Sequence, residues 1–344
     1  MTIVGVDHLR TLAGRRAAVR FRAGERDGRP LFSDAVGEVE LEDADVVVRT
    51  RRGPVRIAAA DVVAARAVPP AVPRRASWAA VARLEELCAD AWPAAAEQRL
   101  GAWRLRAAGG YTARANSALA LGDPGVPVTA ALDAVRAFAA RHGAPPRTAV
   151  PVGSRWDTAV AAQGWVLDVG HRAGAEVAVL VAELAALPRP DGPWTLDLPE
   201  RPGPDWWSPG SDDGPPADGP RRVLDPGGVP RTAFVLARDA DGAPVGRLRA
   251  TVVEDHLHLS VLEVVPAARR RGLGTALTGA AAAWGRAHGA RFGVLQVALH
   301  NTAARALYAA TGWTEHHRYR YLVPLGDAPL SAGPAAPPPP APPS

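Results

Sequence analysis

Two stretches of the chain repeat one order of elements, and this constrains the fold more than any other feature. The first reads Ala140-Arg141-His142-Gly143-Ala144, an apolar strand, then Ala159-Val160-Ala161-Ala162-Gln163-Gly164-Trp165. The second reads Arg286-Ala287-His288-Gly289-Ala290, a strand, then Leu307-Tyr308-Ala309-Ala310-Thr311-Gly312-Trp313. From the first glycine to the glycine before tryptophan is 21 residues in one copy (143 to 164) and 23 in the other (289 to 312). Helix, strand, helix and a Gly-Trp entry into a further strand, written twice, argue for two copies of one α/β unit.

The remaining segments fit around this repeat. Residues 16–22, 34–41, 45–50, 55–57 and 61–68 alternate as half-buried strands, separated by a polar loop at 23–30 and the turn Arg52-Gly53-Pro54. This pattern predicts a small β-barrel of SH3-like type over residues 1–70. A linker with Pro69, Pro70 and Pro73 follows. Ser77 is placed to cap a helix carrying Val81, Leu84 and Leu87. Strands are predicted at 102–107 and 114–121, a helix at 128–142, a strand at 148–152, a helix at 155–163 and further strand at 165–180. Residues 188–230, rich in Pro, Gly and Asp, form a long connection, with strand-like alternation at 194–198. Strands at 233–238, 245–253 and 256–265 lead to a helix at 272–288, a strand at 293–299 and a helix at 303–311. The expected architecture is therefore a multi-domain α+β chain. Its parts are a barrel at 1–70, an α/β domain at 76–187, a second at 192–327, and a disordered Pro/Ala-rich tail at 328–344.

Composition excludes several classes. No apolar run approaches the ~18 residues of a membrane span, and residues 1–22 show no apolar signal stretch. The single cysteine, Cys88, makes neither an internal disulfide nor a thiolate metal site. A soluble protein of the reducing cytoplasm, with no metal and no membrane partner, is expected. The formal net charge is +5, and all forty basic residues are arginine. They are spread among acidic residues, which argues for a solvated surface in a GC-rich genome and against a nucleic-acid partner.

The chemistry gathers in the second repeat. A strand ending at Pro266, the loop Arg269-Arg270-Arg271-Gly272-Leu273-Gly274 and a following helix make an anion-binding device. Glycines admit backbone amides to phosphates, and the helix N-terminus adds its dipole. The first repeat has Gly122-Asp123-Pro124-Gly125 at that place, and Val160 where the second has Tyr308. Only the second copy is suited to an anionic cofactor; the first is degenerate.

These residues resemble the GNAT superfamily of N-acetyltransferases. The run from Val264 to Leu277 is similar to that family's acyl-CoA loop. Asn301-Thr302-Ala303-Ala304-Arg305-Ala306-Leu307-Tyr308, continuing to Gly312-Trp313, is similar to its later N-x-x-A-x-x-L-Y-x-x-x-G-[FW] segment. The resemblance implies two GNAT-like domains, each a mixed central sheet flanked by helices. It also implies acetyl-CoA as co-substrate. Backbone groups of Leu262 and Val264 would pair with the pantetheine arm, and Arg269, Arg270, Arg271, Gly272, Leu273, Gly274 and Thr275 would hold the pyrophosphate. Asn301 would lie near the thioester, and Tyr308 would protonate the departing thiolate.

Acetyl transfer to an amine also needs a base. His258 stands where related enzymes often carry Glu. Simple alternation puts His256, His258 and Ser260 on one strand face and Glu263 on the other. A bulge, usual on that strand in the family, shifts this parity, so His258 and Glu263 are both candidates. Trp206-Trp207 either covers the acceptor site or anchors its loop. The adjacent His316 and His317 do not make a metal site alone, and Arg318 or Arg320 is a candidate for a substrate carboxylate.

The order barrel, degenerate copy, competent copy resembles one actinobacterial group, through residues 101–117 and His316-His317-Arg318-Tyr319. Members are labelled N-acetylglutamate synthase or histone-type acetyltransferase. The implied activity is acetyl transfer to a primary amine, with L-glutamate as acceptor. The alternative acceptor is a protein or peptide amine docked by the SH3-like domain. A non-catalytic acyl-CoA-binding module is the third reading, opposed by the intact Tyr308 and Asn301.

Overall fold

Alternating side chains fold the N-terminal stretch into a five-stranded antiparallel sheet in the computed structural model of the chain, which describes residues 6–50, 53–68, 76–171, 174–209, 223–225 and 231–327. Its strands are β1 (Arg16–Arg26), β2 (Arg29–Glu42), β3 (Asp45–Thr50), β4 (Gly53–Ala58) and β5 (Val62–Ala67), in the order β4-β3-β2-β1-β5. Val19, Val39, Val46, Val48 and Ile57 point inward and are buried. A helix that alternation did not predict, Val6–Leu12, adds Leu9 and Leu12 to this core. The loop expected at 23–30 is instead strand up to a two-residue turn. Asp27 and Gly28 take φ of 52° and 73°, the doubly positive geometry that matches strand twist in a hairpin. Among the described residues the ladder ends on β4 and β5. The linker prolines Pro69, Pro70 and Pro73, and the tail at 328–344, lie outside the described residues.

Residues Met1–Arg74 and Arg75–Ser344 form two separate compact units. The second unit holds both repeats. Its strands are β6 (Ala96–Leu100), β7 (Trp103–Ala107), β8 (Ala118–Ala120), β9 (Thr148–Pro151), β10 (Trp165–Leu167), β11 (Glu176–Glu183), β12 (Thr195–Asp197), β13 (Thr232–Arg238), β14 (Pro244–Val253), β15 (His256–Val264), β16 (Phe292–Ala298) and β17 (Thr314–Pro324). They join in one sheet ordered β12-β13-β14-β15-β16-β11-β17-β9-β8-β7-β6, with β10 also on β17.

The order shows an exchange. β11, the last strand of the first repeat, lies between β16 and β17 of the second. β17 in turn pairs β9 and β10 of the first. Each half therefore completes its ladder with the other's final strand, and Val179 of β11 stands between Gln296 and His317.

Helices cover this sheet. Ser77 caps the helix Trp78–Ala91 by accepting from the Ala80 amide at 3.2 Å, a contact worth about 1 kcal/mol. The helix Leu273–Ala287 packs Leu273, Leu277 and Ala281 on Leu248, Leu257 and Leu259. Burying each of these leucines contributes about 1.5–3 kcal/mol. Gly279 lets it approach the chain at Pro188, whose carbonyl would stand 2.6 Å from any Cβ there.

Two expected strands are shorter than their apolar patterns. The stretch read at 114–121 pairs only over Ala118–Ala120. Before it, the Asn116 side chain accepts from the Ala108 and Gly110 amides and donates to the Tyr111 and Thr112 carbonyls, winding residues 108–116 into a loop. The stretch 165–180 breaks into β10 and β11, where Asp168 leaves the ladder for Arg147 at 2.8 Å. β6 is an edge strand that its charged residues concealed.

Candidate active site

β15 and β16 run parallel only from His256↔Phe292 to Leu259↔Leu295 and then part. At the parting β15 bulges. Arg249 of β14 faces Ser260 and Arg247 faces Glu263, so two residues of β15 stand against one of β14. Val261 takes the strain with φ of 55°, a position that costs about 1–3 kcal/mol for a β-branched residue. The bulge also resets which side chains face which way. Leu257 and Leu259 join the helix-side core before it, and Leu262 and Val264 after it. Glu263 thus shares the face of His258, against simple alternation.

The loop that follows has the backbone of an anion cradle. Arg270 and Gly272 have φ of 64° and 81°, and Gly272 caps the helix Leu273–Ala287. The helix's Ala276 amide donates to the Gly272 carbonyl. The amides of Leu273, Gly274 and Thr275 therefore have no acceptor within the helix and face its N-terminal end. Arg269, Arg270, Arg271 and Gly272 are exposed while Leu273 is buried in the core. Arg271 lies 5.1 Å over the Trp194 ring, and Arg269 donates from Nε to the Val264 carbonyl at 3.0 Å. In the first repeat the equivalent loop carries no arginine but Asp123, which accepts from the Gly125 amide at 2.9 Å.

The helix Thr302–Ala310 is set against this loop, with Leu307 Cδ2 3.0 Å from where a Cβ on Gly274 would be. Asn301 is exposed and caps that helix, accepting from the Ala304 amide at 3.1 Å. Tyr308 is 7% exposed, edge-on to Trp313 at 5.8 Å. Burial holds its hydroxyl well above the ordinary phenol value.

The two base candidates differ in surroundings. His258 is buried, 6.4 Å from the Trp92 ring and 3.5 Å from Arg114 Nη1. Burial, then the Arg114 and Arg249 charges, hold its pKa well below 6.5, against an opposing contact from Gln296. It is neutral at pH 7. Glu263 keeps 38% of its side chain exposed and is gripped by Arg247, with Nη2 2.6 Å and Nε 3.0 Å from Oε2. Burial raises its pKa above 4.5 despite that arginine. Arg247 is itself tied by Nη1 to the Trp206 and Trp207 carbonyls.

Sequence reasoning did not single out five residues of this face. Arg247 and Arg249 flank Leu248 on a central strand, and two arginines at that spacing in an apolar strand were the available signal. Trp92, Tyr111 and Arg114 come from the first repeat, and no local pattern tied them to the second. Trp206 and Trp207 are buried against Phe234 and each other. Arg318 is paired with Glu315 and Arg320 with Asp157. His317 bonds Glu85 and His316. Among the described residues no group of three or more His, Cys, Asp or Glu is placed to hold a metal ion. No helix there is long and apolar enough to cross a membrane.

Comparison with known proteins gives a family match over residues 78–322, to the family described as probable histone acetyltransferase Rv0428c C-terminal. The probable histone acetyltransferase Rv0428c of Mycobacterium tuberculosis is 39% identical over 109 residues, 31% of this chain. That alignment spans 35% of the relative's length. A GCN5-related N-acetyltransferase from Kribbella flavida superposes with a TM-score of 0.51 at 17% identity, covering 70% of this chain and 94% of that one, which shows a shared fold. A tandem GNAT protein from the clavulanic acid biosynthesis pathway matches with a TM-score of 0.46 at 17% identity, over 75% of this chain and 88% of its own.

Proposed function

The chain belongs to the GNAT-type acetyltransferase family of the Rv0428c C-terminal region, and on that premise we propose that it is an acetyl-CoA-dependent N-acetyltransferase whose competent site lies in the second repeat. The observation that carries this reading is the opening between β15 and β16 beside the Arg269–Gly272 loop. Beyond Leu259 the β15 edge toward β16 has no ladder partner among the described residues. That edge, at Leu262 and Val264, offers backbone groups to an amide-bearing pantetheine arm. The loop and helix amides from Arg269 to Thr275, with three arginines, suit a pyrophosphate. The fit is specific to this half, since the corresponding loop of the other holds an acidic residue, Asp123, and no arginine.

The reaction is a direct attack. An amine gives up a proton, its nitrogen bonds the thioester carbon, and the C–S bond breaks as the sulfur takes a proton. Glu263 suits the first transfer better than His258. Its carboxylate is half-exposed on the site's face and has a raised proton affinity, whereas the His258 ring is enclosed beside Trp92 and two arginines. Tyr308 remains protonated at neutral pH and supplies the proton to sulfur. The desolvation that weakens the phenol as an acid also raises the thiolate's proton affinity. Asn301 fixes the start of the helix that carries Tyr308. No metal enters this chemistry.

L-Glutamate is the acceptor that resemblance to the actinobacterial group favours. A protein or peptide amine is the alternative, supported by the name of the Mycobacterium relative, a probable histone acetyltransferase. Leu31, Phe32, Val36 and Leu41 are also exposed on β2 of the N-terminal sheet, an SH3-like module on this reading, which would dock the partner. Cys88 is buried, and its thiol is pushed up by burial, in keeping with a reducing cytoplasm. The test is release of free thiol from acetyl-CoA over a panel of amino acids, amines and lysine peptides. Release with peptides and none with glutamate selects the alternative; no acetyl-CoA binding refutes the assignment of the loop.

A further inference from the structure

The face beyond Glu263 carries two guanidiniums that, among the described residues, have no carboxylate in an ion pair, although the Asp225 charge favours Arg249. Arg249 is fully buried on β14; its Nε donates to the Leu224 carbonyl and its Nη1 to the Ala91 carbonyl, both at 2.9 Å, while Nη2 has no partner. Arg114, on the loop that Asn116 winds in the first repeat, is half-buried, and its hydrogen-bond contact is His258 at 3.5 Å. Both guanidiniums lie over one aromatic ring, Trp92, at 4.8 Å for Arg114 and 5.4 Å for Arg249. Among the described residues neither is in an ion pair with a carboxylate. Arg114 also lines a small cavity with Arg106, Glu85, Gln296, Tyr319 and Tyr321. The one carboxylate there, Glu85, is occupied by His317 at 2.8 Å.

Two guanidiniums near one ring repel each other, and the unpaired buried N–H of Arg249 costs further. An anion seated between them removes both penalties. The strands fix where this anion stands relative to the chemistry: Arg249 is two residues from Arg247, which grips Glu263, on β14, and Arg114 meets His258 on the β15 face that Glu263 shares. The base and the two arginines are therefore within reach of one small molecule. The guanidinium of Arg114 and the free Nη2 of Arg249 suit the two oxygens of a carboxylate.

We infer that the degenerate half supplies the acceptor-recognition subsite, in which Arg114, set with Arg249 against Trp92, holds a carboxylate of the amine whose nitrogen is activated at Glu263. This rests on the N-acetyltransferase reading above and gives the first repeat a task although its own loop lacks the arginines of the second. It selects small amino acids over lysine side chains within a protein, which carry no neighbouring carboxylate.

The experiment measures thiol release from acetyl-CoA with the full chain. Acceptors are the L-amino acids as free acids and as carboxamides, O-phosphoethanolamine and a lysine peptide. Free acids turning over, with matched carboxamides at least ~10-fold worse in kcat/KM, is the expected result. For the best acid, Arg114→Leu should raise the acceptor KM by roughly 10- to 100-fold while acetyl-CoA affinity stays unchanged, and Arg114→Lys should recover part of the loss. Equal turnover of carboxamides, preference for the peptide, or turnover confined to the phosphate ester overturns the carboxylate subsite and leaves N-acetyl transfer standing. An Arg114→Leu protein that binds acetyl-CoA and keeps its KM also overturns it. Acetyl-CoA binding with no turnover of any amine instead overturns the transferase reading.

Discussion

Glu85, on the first helix of the first repeat, and His317, on the last strand of the second, lie 2.8 Å apart with side chains only 4% and 8% exposed. The carboxylate accepts from Nε2, and the contact adds to the exchange of β11 and β17 that joins the halves. Removing one partner leaves the other buried without compensation. Glu85→Ala is expected to cost about 3 kcal/mol, and Glu85→Gln less, because the amide oxygen still accepts. Chemical denaturation followed by tryptophan fluorescence reads both; equal midpoints for all three proteins would show that the contact carries no stability.

His258 makes stability depend on pH. Its folded pKa is held well below 6.5 by burial and by two arginines, whereas in the unfolded chain it titrates near about 6.5. Between those values the unfolded state takes up a proton that the folded state refuses. Stability is therefore full above about pH 6.5 and falls as the pH drops toward the folded pKa. His171 and His316, also lowered, add slopes of the same sign, so the difference between wild type and His258→Leu isolates this one. Unfolding midpoints from pH 7.5 to 5 should converge on acidification. Parallel curves would place the His258 titration at the same pH in both states.

Gly272→Asp should abolish acetyl-CoA binding. The position has φ of 81°, where a side chain costs roughly 1–2 kcal/mol. The new carboxylate would also stand at a helix N-terminus proposed for phosphates. The variant should stay folded, since open space surrounds the missing Cβ. Calorimetric titration with acetyl-CoA checks it, and retained affinity moves the phosphate site elsewhere.

Much of this frame was legible before any coordinates. Ser77 as a cap, the strand–loop–helix from β15 through Gly272, and the Gly-Trp entries at Trp165 and Trp313 are local patterns, and the fold respects them. The exchange of β11 and β17 was not, because pairing partners more than a hundred residues apart leave no mark on local periodicity. Glu263 shows the same limit at one residue. Alternation alone placed it away from His258; the bulge that the family resemblance implied, which falls at the left-handed Val261, puts it back. Arg114 was hidden for another reason: Asn116 turns an apparent strand into a loop, and only that loop delivers Arg114 to a site in the other repeat.

Tyr308→Phe separates chemistry from binding. The ring packs on Trp313 and fills the same volume without the hydroxyl, so the fold and the acetyl-CoA dissociation constant should hold within about two-fold. Loss of the proton donor should lower kcat by about 10²-fold or more. Single-turnover rates at saturating acetyl-CoA read the step directly, and a wild-type rate in the variant would remove Tyr308 from the reaction.

Glu263 sets the acid limb of the rate. As a base it must be ionised, so activity is present above its folded pKa and lost as the pH falls through it. Burial, opposed by Arg247, places that pKa above 4.5, and the limb should lie above the ordinary carboxylate range. Arg247→Gln removes the opposing charge and should move the limb further up, with a smaller loss of rate than Glu263→Gln. Glu263→Gln should abolish the limb and leave a low rate that rises only with deprotonation of the amine itself. His258→Gln is the control: a group already neutral across this range does not shape the limb. If His258→Gln abolishes the limb while Glu263→Gln keeps it, proton removal belongs to the histidine, reached through water from behind Trp92.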